Sequence, residues 1–335
     1  MALVVFRADA GPAIGSGHVM RCLSLASIFA EGGWEIGFAA NDETYRSVAA
    51  LSETRIRCVS LPDAAADEPP TMRQQWQQGA NILVVDHYER GAVFEHACRG
   101  WARRILVLDD LANRDHDADV LVDAGNSSVD YRGLVGGRCK ILAGPEYAIV
   151  HAAFRMIRDR ALARRDGRSV GRVLVSFGQG DAPNATMRAL TALDQVHFSG
   201  EVDAVLGRAA PHLNEVQARA NGRIRVHVDA REMHVLMTHA DIAIGAGGVT
   251  TWERCCLGLP SVVVTLADNQ VHQADIIAQE GAAISVGRVD AGIEWRLADA
   301  LRCYFGEDRL RIAAAQAASG MVDGHGCARI IAALG

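Results

Sequence analysis

Histidine, carboxylate and glycine residues gather in this chain where short apolar runs give out. The first such place is Arg7-Ala8-Asp9-Ala10-Gly11, followed by Ile14-Gly15-Ser16-Gly17-His18-Val19-Met20-Arg21. Gly15 and Gly17 permit a tight turn and close backbone approach, and N–H groups at a helix start favour an anion. His18 falls in or near the first helical turn. The positive end of the helix there favours neutral imidazole, the form that takes a proton from water. The plainer alternative is an ordinary strand-to-helix turn that happens to carry a histidine.

The second place is Ala243-Ile244-Gly245-Ala246-Gly247-Gly248-Val249-Thr250-Thr251-Trp252-Glu253, where an apolar strand runs into glycines and then a helix. That order presents main-chain N–H groups to a diphosphate, although its glycine spacing is not the dinucleotide fingerprint. Glu253 can accept from ribose hydroxyls, or Thr250-x-x-Glu253 can be a capping box. Leu266-Ala267-Asp268-Asn269-Gln270-Val271-His272-Gln273 ends another apolar strand and reads as a polar pocket lining, or as helix capping by Asp268 or Asn269. Asp86-His87-Tyr88 and Asp109-Asp110 also end strands, without the spacing of a metal site. Ser176-Phe177-Gly178-Gln179-Gly180-Asp181 is a further glycine turn that suits a phosphate neighbour. No G-x-S-x-G elbow occurs, which argues against serine acyl chemistry.

The elements that must position these residues alternate between β-branched runs and helix-period segments, the pattern of βα units feeding a parallel sheet. Strands are predicted at Leu3–Phe6, Glu35–Ala39, Arg57–Leu61, Ile82–Asp86, Arg104–Leu108 and Asp119–Val122. A second set is predicted at Arg172–Ser176, Val202–Leu206, Arg225–Val228, Ile242–Ile244, Ser261–Thr265 and Ala283–Val286. Val19, Cys22, Leu23, Ala26 and Phe29 mark the first helix, stopped by Gly32-Gly33. The expected fold is α/β, with two Rossmann-like domains whose parallel sheets face a cleft. Residues 1–154 form the first domain, the basic segment 155–171 a solvated link, and 172–335 the second, with the last helix packing back on the first. Ligands of such sheets bind beyond the carboxyl ends of the strands.

With 335 residues and half of them hydrophobic, the chain can build two cores. A net charge of −6 offers no basic excess to displace counter-ions from nucleic acid, so no nucleic-acid partner is expected. The eight cysteines, at 22, 58, 98, 139, 255, 256, 303 and 327, form no C-x-x-C pair and read as small hydrophobes in a reducing compartment. Met1–Phe6 lacks the character of a signal peptide and no run reaches transmembrane length, so a cytoplasmic location is expected.

Taken together, the segments Arg7–Arg21, Asp86–Tyr88, Asp109–Arg114, Gly144–Tyr147, Val173–Gly178 and Ala243–Gln270 resemble the UDP-sugar hydrolases of pseudaminic acid biosynthesis. That family is related in fold to GT-B glycosyltransferases such as the one that adds GlcNAc to lipid I. The block Gly245–Pro260, continuing to Ala-Asp-Asn-Gln270, carries most of the likeness. The resemblance implies hydrolysis of UDP-2,4-diacetamido-2,4,6-trideoxy-β-L-altropyranose by water at the anomeric carbon, with no metal and no cofactor. It makes His18 the catalytic base or water-orienting residue. Arg7, Asp9, Gly15, Gly17, Arg21, Tyr88, Asn269 and Gln270 would serve the sugar site, and Gly178, Gly245, Gly247, Gly248, Thr250 and Glu253 the UDP. His151-Ala152-Ala153 stands where the family has arginine, proline and glutamate, and Gly178-Gln179-Gly180-Asp181 replaces a more usual Gly-Gly-Ser-Asp. A GT-B glycosyltransferase using a UDP-amino sugar, a non-catalytic nucleotide-sugar binding protein and a UDP-sugar epimerase are the alternatives.

Overall fold

The computed structural model describes residues 1–11, 14–52, 56–125 and 130–335. The chain divides into two units, the first comprising Met1–His151 with His325–Gly335 and the second Ala152–Gly324. In the first unit the strands are β1 Leu3–Ala8, β2 Glu35–Ala40, β3 Arg57–Ser60, β4 Ala80–Asp86, β5 Ala102–Leu108, β6 Val120–Asp123 and β7 Lys140–Ala143. They form one sheet in the order β3-β2-β1-β4-β5-β6-β7, and every pairing is parallel. The second unit holds β8 Arg172–Ser176, β9 Glu201–Leu206, β10 Ile224–Val228, β11 Ile242–Ala246, β12 Ser261–Thr265 and β13 Ala283–Arg288. Its sheet, again parallel, runs β10-β9-β8-β11-β12-β13. Both orders reverse at one point, between β1 and β4 and between β8 and β11. Such a switch point opens a crevice at the carboxyl ends of the strands.

Local sequence explains these elements. Strands buried on both faces read as continuous apolar runs, as in Ser261-Val-Val-Val-Thr265, all of it buried. β7 was not expected: it is a four-residue edge strand in which only Leu142 is buried. The helix Gly17–Glu31 buries Val19, Cys22, Leu25, Ala26 and Phe29 against Val4, Phe6 and Phe38, while Leu23 is half-buried. Gly33, at a φ of +79°, supplies the left-handed residue that ends it. Cys327, Ile330 and Leu334 of the closing helix Gly326–Leu334 join the same core.

The basic segment 155–171 belongs to the second unit. Arg165 donates to the carbonyls of Met237, Ala240 and Leu257, and Arg158 to those of Ser319 and Val322. These carbonyls lie at or just beyond the ends of helices, where acceptors are left over and a cation is favoured. Among the described residues all eight cysteines are unbridged, and no helix is long and apolar enough to cross a membrane.

Candidate functional site

In the first unit the polar residues collect at the switch point. Asp86, the last residue of β4, is fully buried. Arg21, from the helix that follows β1, clamps it through two bonds: Nε donates to Oδ2 and Nη2 to Oδ1, each at 2.6 Å. The Arg21 Nη1 reaches Asp110 at 3.3 Å. His18, one helical turn before Arg21, is 6% exposed. Its Nδ1 lies 3.5 Å from Asp86 Oδ1, and its ring meets the edge of Tyr88 at 4.5 Å between centroids. Burial lowers the His18 pKa from its ordinary value, and the Arg21 charge adds to that effect while Asp86 opposes it. The Asp86 carboxyl would be pushed up by burial alone, but the charge and hydrogen bonds of Arg21 reverse the balance and hold it below the usual range. The result is a neutral imidazole beside an ionised carboxylate, the arrangement of a general base with an orienting partner.

Arg7 and Asp9 lie inside the unit. Arg7 is 1% exposed and donates to both oxygens of Glu68, at 2.7 and 2.8 Å, while its Nη1 lies 2.7 Å from Asp9. Arg90 shares Glu68. The Glu89 N–H donates to His87 Nδ1, so the ring proton sits on Nε2 and is donated to Asp9 Oδ2 at 3.1 Å. Burial raises the Asp9 pKa, but the hydrogen bonds from His87 and Arg7 outweigh it and hold the carboxyl well below its ordinary value. This network braces the loop after β1. Gly15, exposed at a φ of +77°, donates its N–H to the Gly11 carbonyl at 2.7 Å and closes that loop; Pro12 and Ala13 fall outside the described residues. Gly17 is the first residue of the helix.

The carboxylates at the ends of β5 and β6 are engaged as well. Asp109 pairs with Arg114 at 2.8 Å, and the Tyr131 hydroxyl lies 3.0 Å from both Asp109 and Asp123. One hydroxyl proton cannot serve two carboxylates, and burial pushes Asp123 up to about 6. Among the described residues no group of three or more His, Cys, Asp or Glu side chains is arranged to hold a metal.

In the second unit the glycine turn follows β11 at the switch point. Gly245 is a glycine for a packing reason: a Cβ there would lie 2.6 Å from the Ser176 carbonyl and 2.7 Å from Arg254. The turn's own amides are spoken for. Gly247 donates to the Val264 carbonyl at 3.2 Å and Gly248 to Thr251 Oγ1 at 3.1 Å. Gly248 with Thr251 therefore caps the helix Val249–Cys256, which displaces the Thr250–Glu253 capping box because the helix starts two residues earlier than that box requires. The N–H groups of Val249 and Thr250 open the helix, ahead of its i→i−4 ladder. Glu253 is half-buried, with no hydrogen-bond or ion-pair partner among the described residues, and burial pushes its carboxyl up to about 7.

The neighbouring loops complete this edge. Gln270 Oε1 accepts from the Leu266 N–H at 3.0 Å, and Gln273 donates to the Gly248 carbonyl at 3.2 Å. Asn269 is exposed on the short 3-10 turn Asp268–Gln270. Neither Asp268 nor Asn269 caps the next helix, since the residue before it is Gln270, which makes no side-chain cap. After β8, Gly178 is exposed at a φ of +87°, and Asp181 fixes that loop by accepting from the N–H groups of Ala185 and Thr186. The first unit thus brings together His18, Arg21 and Tyr88, and the second brings together Gly247, Gly248, Thr250 and Gln270, with Glu253 further along the same helix. Asp86 as the partner of His18, and Arg254 beneath the turn, were not among the expected site residues.

The chain is 27% identical over 333 residues to the spore coat polysaccharide biosynthesis protein SpsG of Bacillus subtilis, covering 98% of this chain and 96% of that one. It is 22% identical over 288 residues to the UDP-2,4-diacetamido-2,4,6-trideoxy-beta-L-altropyranose hydrolase of Campylobacter jejuni, covering 83% and 97% respectively. MurG of Acinetobacter baumannii aligns over 99% of both chains with a TM-score of 0.71 at 16% identity, which identifies the fold as the two-sheet GT-B architecture. No protein-family model matches the chain.

Proposed function

We propose that this chain is an enzyme acting on a nucleotide-activated sugar, and that it hydrolyses a UDP-linked 2,4-diacetamido-2,4,6-trideoxy sugar to free sugar and UDP. The observation that carries the reading is the His18–Asp86–Arg21 chain at the first switch point. The distant likeness to a hydrolase of that sugar nucleotide supports the choice of substrate.

In this mechanism Asp86 holds the Nδ1–H tautomer of His18 and leaves the Nε2 lone pair for a water proton. The water oxygen bonds to the anomeric carbon as the bond from that carbon to the diphosphate oxygen breaks. The electron pair leaves on UDP, and the proton passes to His18, whose imidazolium Asp86 stabilises. The glycine turn of the second unit holds the diphosphate through the Val249 and Thr250 N–H groups, and Glu253 accepts from the ribose hydroxyls. In the first unit Tyr88 serves the sugar beside His18, and Arg7 and Asp9 brace His87 and the loop that carries His18; in the second, Gly178, Asn269 and Gln270 serve the ligand held by the glycine turn. Every group used is the chain's own, with no resident cofactor or metal.

Incubation with the UDP-sugar in buffer without any other acceptor tests this reading: free sugar and UDP should appear in equal amounts. A second reading, transfer of the sugar to a hydroxyl acceptor, is favoured by the near full-length likeness to a polysaccharide biosynthesis protein. It predicts no release until an acceptor is supplied.

A further inference from the structure

The helix Val249–Cys256 buries a cation on its inner face. Arg254 is 2% exposed, flanked by the buried residues Trp252, Cys255 and Cys256. Its guanidinium folds back towards the helix start. Nη2 donates to the Ala246 carbonyl at 2.8 Å and to Thr251 Oγ1 at 3.0 Å, and Nη1 donates to Thr250 Oγ1 at 3.2 Å. The buried Nε has no partner. No carboxylate lies within ion-pair distance of Arg254 among the described residues, although the neighbouring Glu253 carboxyl acts on it electrostatically; the buried Arg7 and Arg311 each have a paired carboxylate, whereas the half-buried Arg165 likewise bonds only to carbonyls.

A buried charge without a counter-ion is costly, and an apolar side chain of similar volume would fill this space more favourably. The protein keeps the charge and shapes the backbone around it, since only glycine at 245 leaves room for Nη1. Burial pulls the guanidinium down to about 10, which leaves it cationic at neutral pH. It lies under the opening turn of a helix whose dipole has the same sign, so the two fields add at the N–H groups of Val249 and Thr250.

We infer that Arg254 is a positioning residue whose missing counter-ion is the diphosphate of the nucleotide: it shapes the glycine turn and supplies positive potential through it. The inference rests on the proposed reading of this turn as a diphosphate site.

The test is calorimetric titration of the full chain with uridine, UMP and UDP, for the wild type, Arg254→Gln and Arg254→Lys, with thermal melts to confirm folding. In Arg254→Gln, uridine affinity should stay within about two-fold while UDP affinity falls roughly ten-fold or more, with UMP between them. Arg254→Lys keeps the charge and should retain most of the preference for UDP over uridine. Equal weakening of all three ligands in Arg254→Gln would mean the arginine only holds the turn's shape and would overturn the inference. So would a preference for UDP that survives that substitution. If Arg254→Gln fails to fold, Arg254→Lys decides: a retained ratio supports the inference and a collapsed ratio contradicts it. A wild type that does not prefer UDP to uridine would instead refute the diphosphate reading itself.

Discussion

Glu253 offers a perturbation with two opposite consequences. Its carboxyl is half-buried on the helix Val249–Cys256, has no hydrogen-bond or ion-pair partner among the described residues, and is pushed up to about 7 by burial, against the lowering effect of the Arg254 charge. An acid with a raised folded-state pKa contributes nothing to stability below its unfolded value. It then destabilises progressively as pH rises to the folded pKa, and by a constant amount above it. Glu253→Gln should therefore stabilise the ligand-free protein at pH 8 by about 1–3 kcal/mol, several degrees in Tm, and should change little at pH 4. UDP binding should move the other way. If ionised Glu253 accepts from ribose hydroxyls, its charged fraction rises from about one-tenth at pH 6 to about nine-tenths at pH 8, and wild-type affinity gains about ten-fold. UDP itself titrates near pH 6, so the quantity to follow is the ratio of wild-type to Glu253→Gln affinity by calorimetry at each pH. That ratio should rise with pH. A flat ratio, or a variant less stable than wild type at pH 8, would refute the assignment of Glu253 to the ligand.

Other variants probe the first unit and the packing of the turn. His18→Asn or His18→Phe should lose about 10²–10⁴-fold in kcat while UDP affinity is kept, because the base is removed and the nucleotide grip is not. Near wild-type turnover would exclude His18 as the base. A neutral imidazole is required and the His18 pKa is lowered, so the wild-type rate should fall only below the ordinary histidine range and be level above it. Asp86→Asn should cut kcat by about ten- to hundred-fold with little change in KM, by analogy with orienting partners elsewhere, and an unchanged kcat would remove Asp86 from the mechanism. Gly245→Ala should destabilise the protein by about 1–3 kcal/mol in a chemical melt, because the new methyl meets the Ser176 carbonyl and Arg254.

Much of this architecture is legible in the sequence because it is written locally. Apolar runs that end in glycine or a charged residue mark strands buried on both faces, as at β11 and β12, and the three- and four-residue spacing from Val19 to Phe29 marks the first helix. β7 escapes because an edge strand with Lys140 and Ile141 exposed has neither a continuous apolar run nor a clean alternation. His18 stands out beside Gly15 and Gly17, but its link to Asp86 depends on β1 and β4 being neighbours, a long-range fact that no local pattern records. Glu253 is ambiguous for a similar reason, since a two-residue shift in the helix start decides between cap and ligand group. Arg254 is hidden by its type: an arginine in an amphipathic helix reads as its polar face, and here it lies on the buried one. Gly245 shows the converse, a glycine whose explanation is a neighbouring side chain.

Attack of water at the anomeric carbon leaves its record in the position of an isotope. Purified protein with EDTA and the UDP-diacetamido-trideoxy sugar would be incubated in ¹⁸O-water, and both products weighed by mass spectrometry. One ¹⁸O is expected in the free sugar and none in UDP. Label in UDP would mean attack at phosphorus and would contradict both the mechanism and the role given to His18.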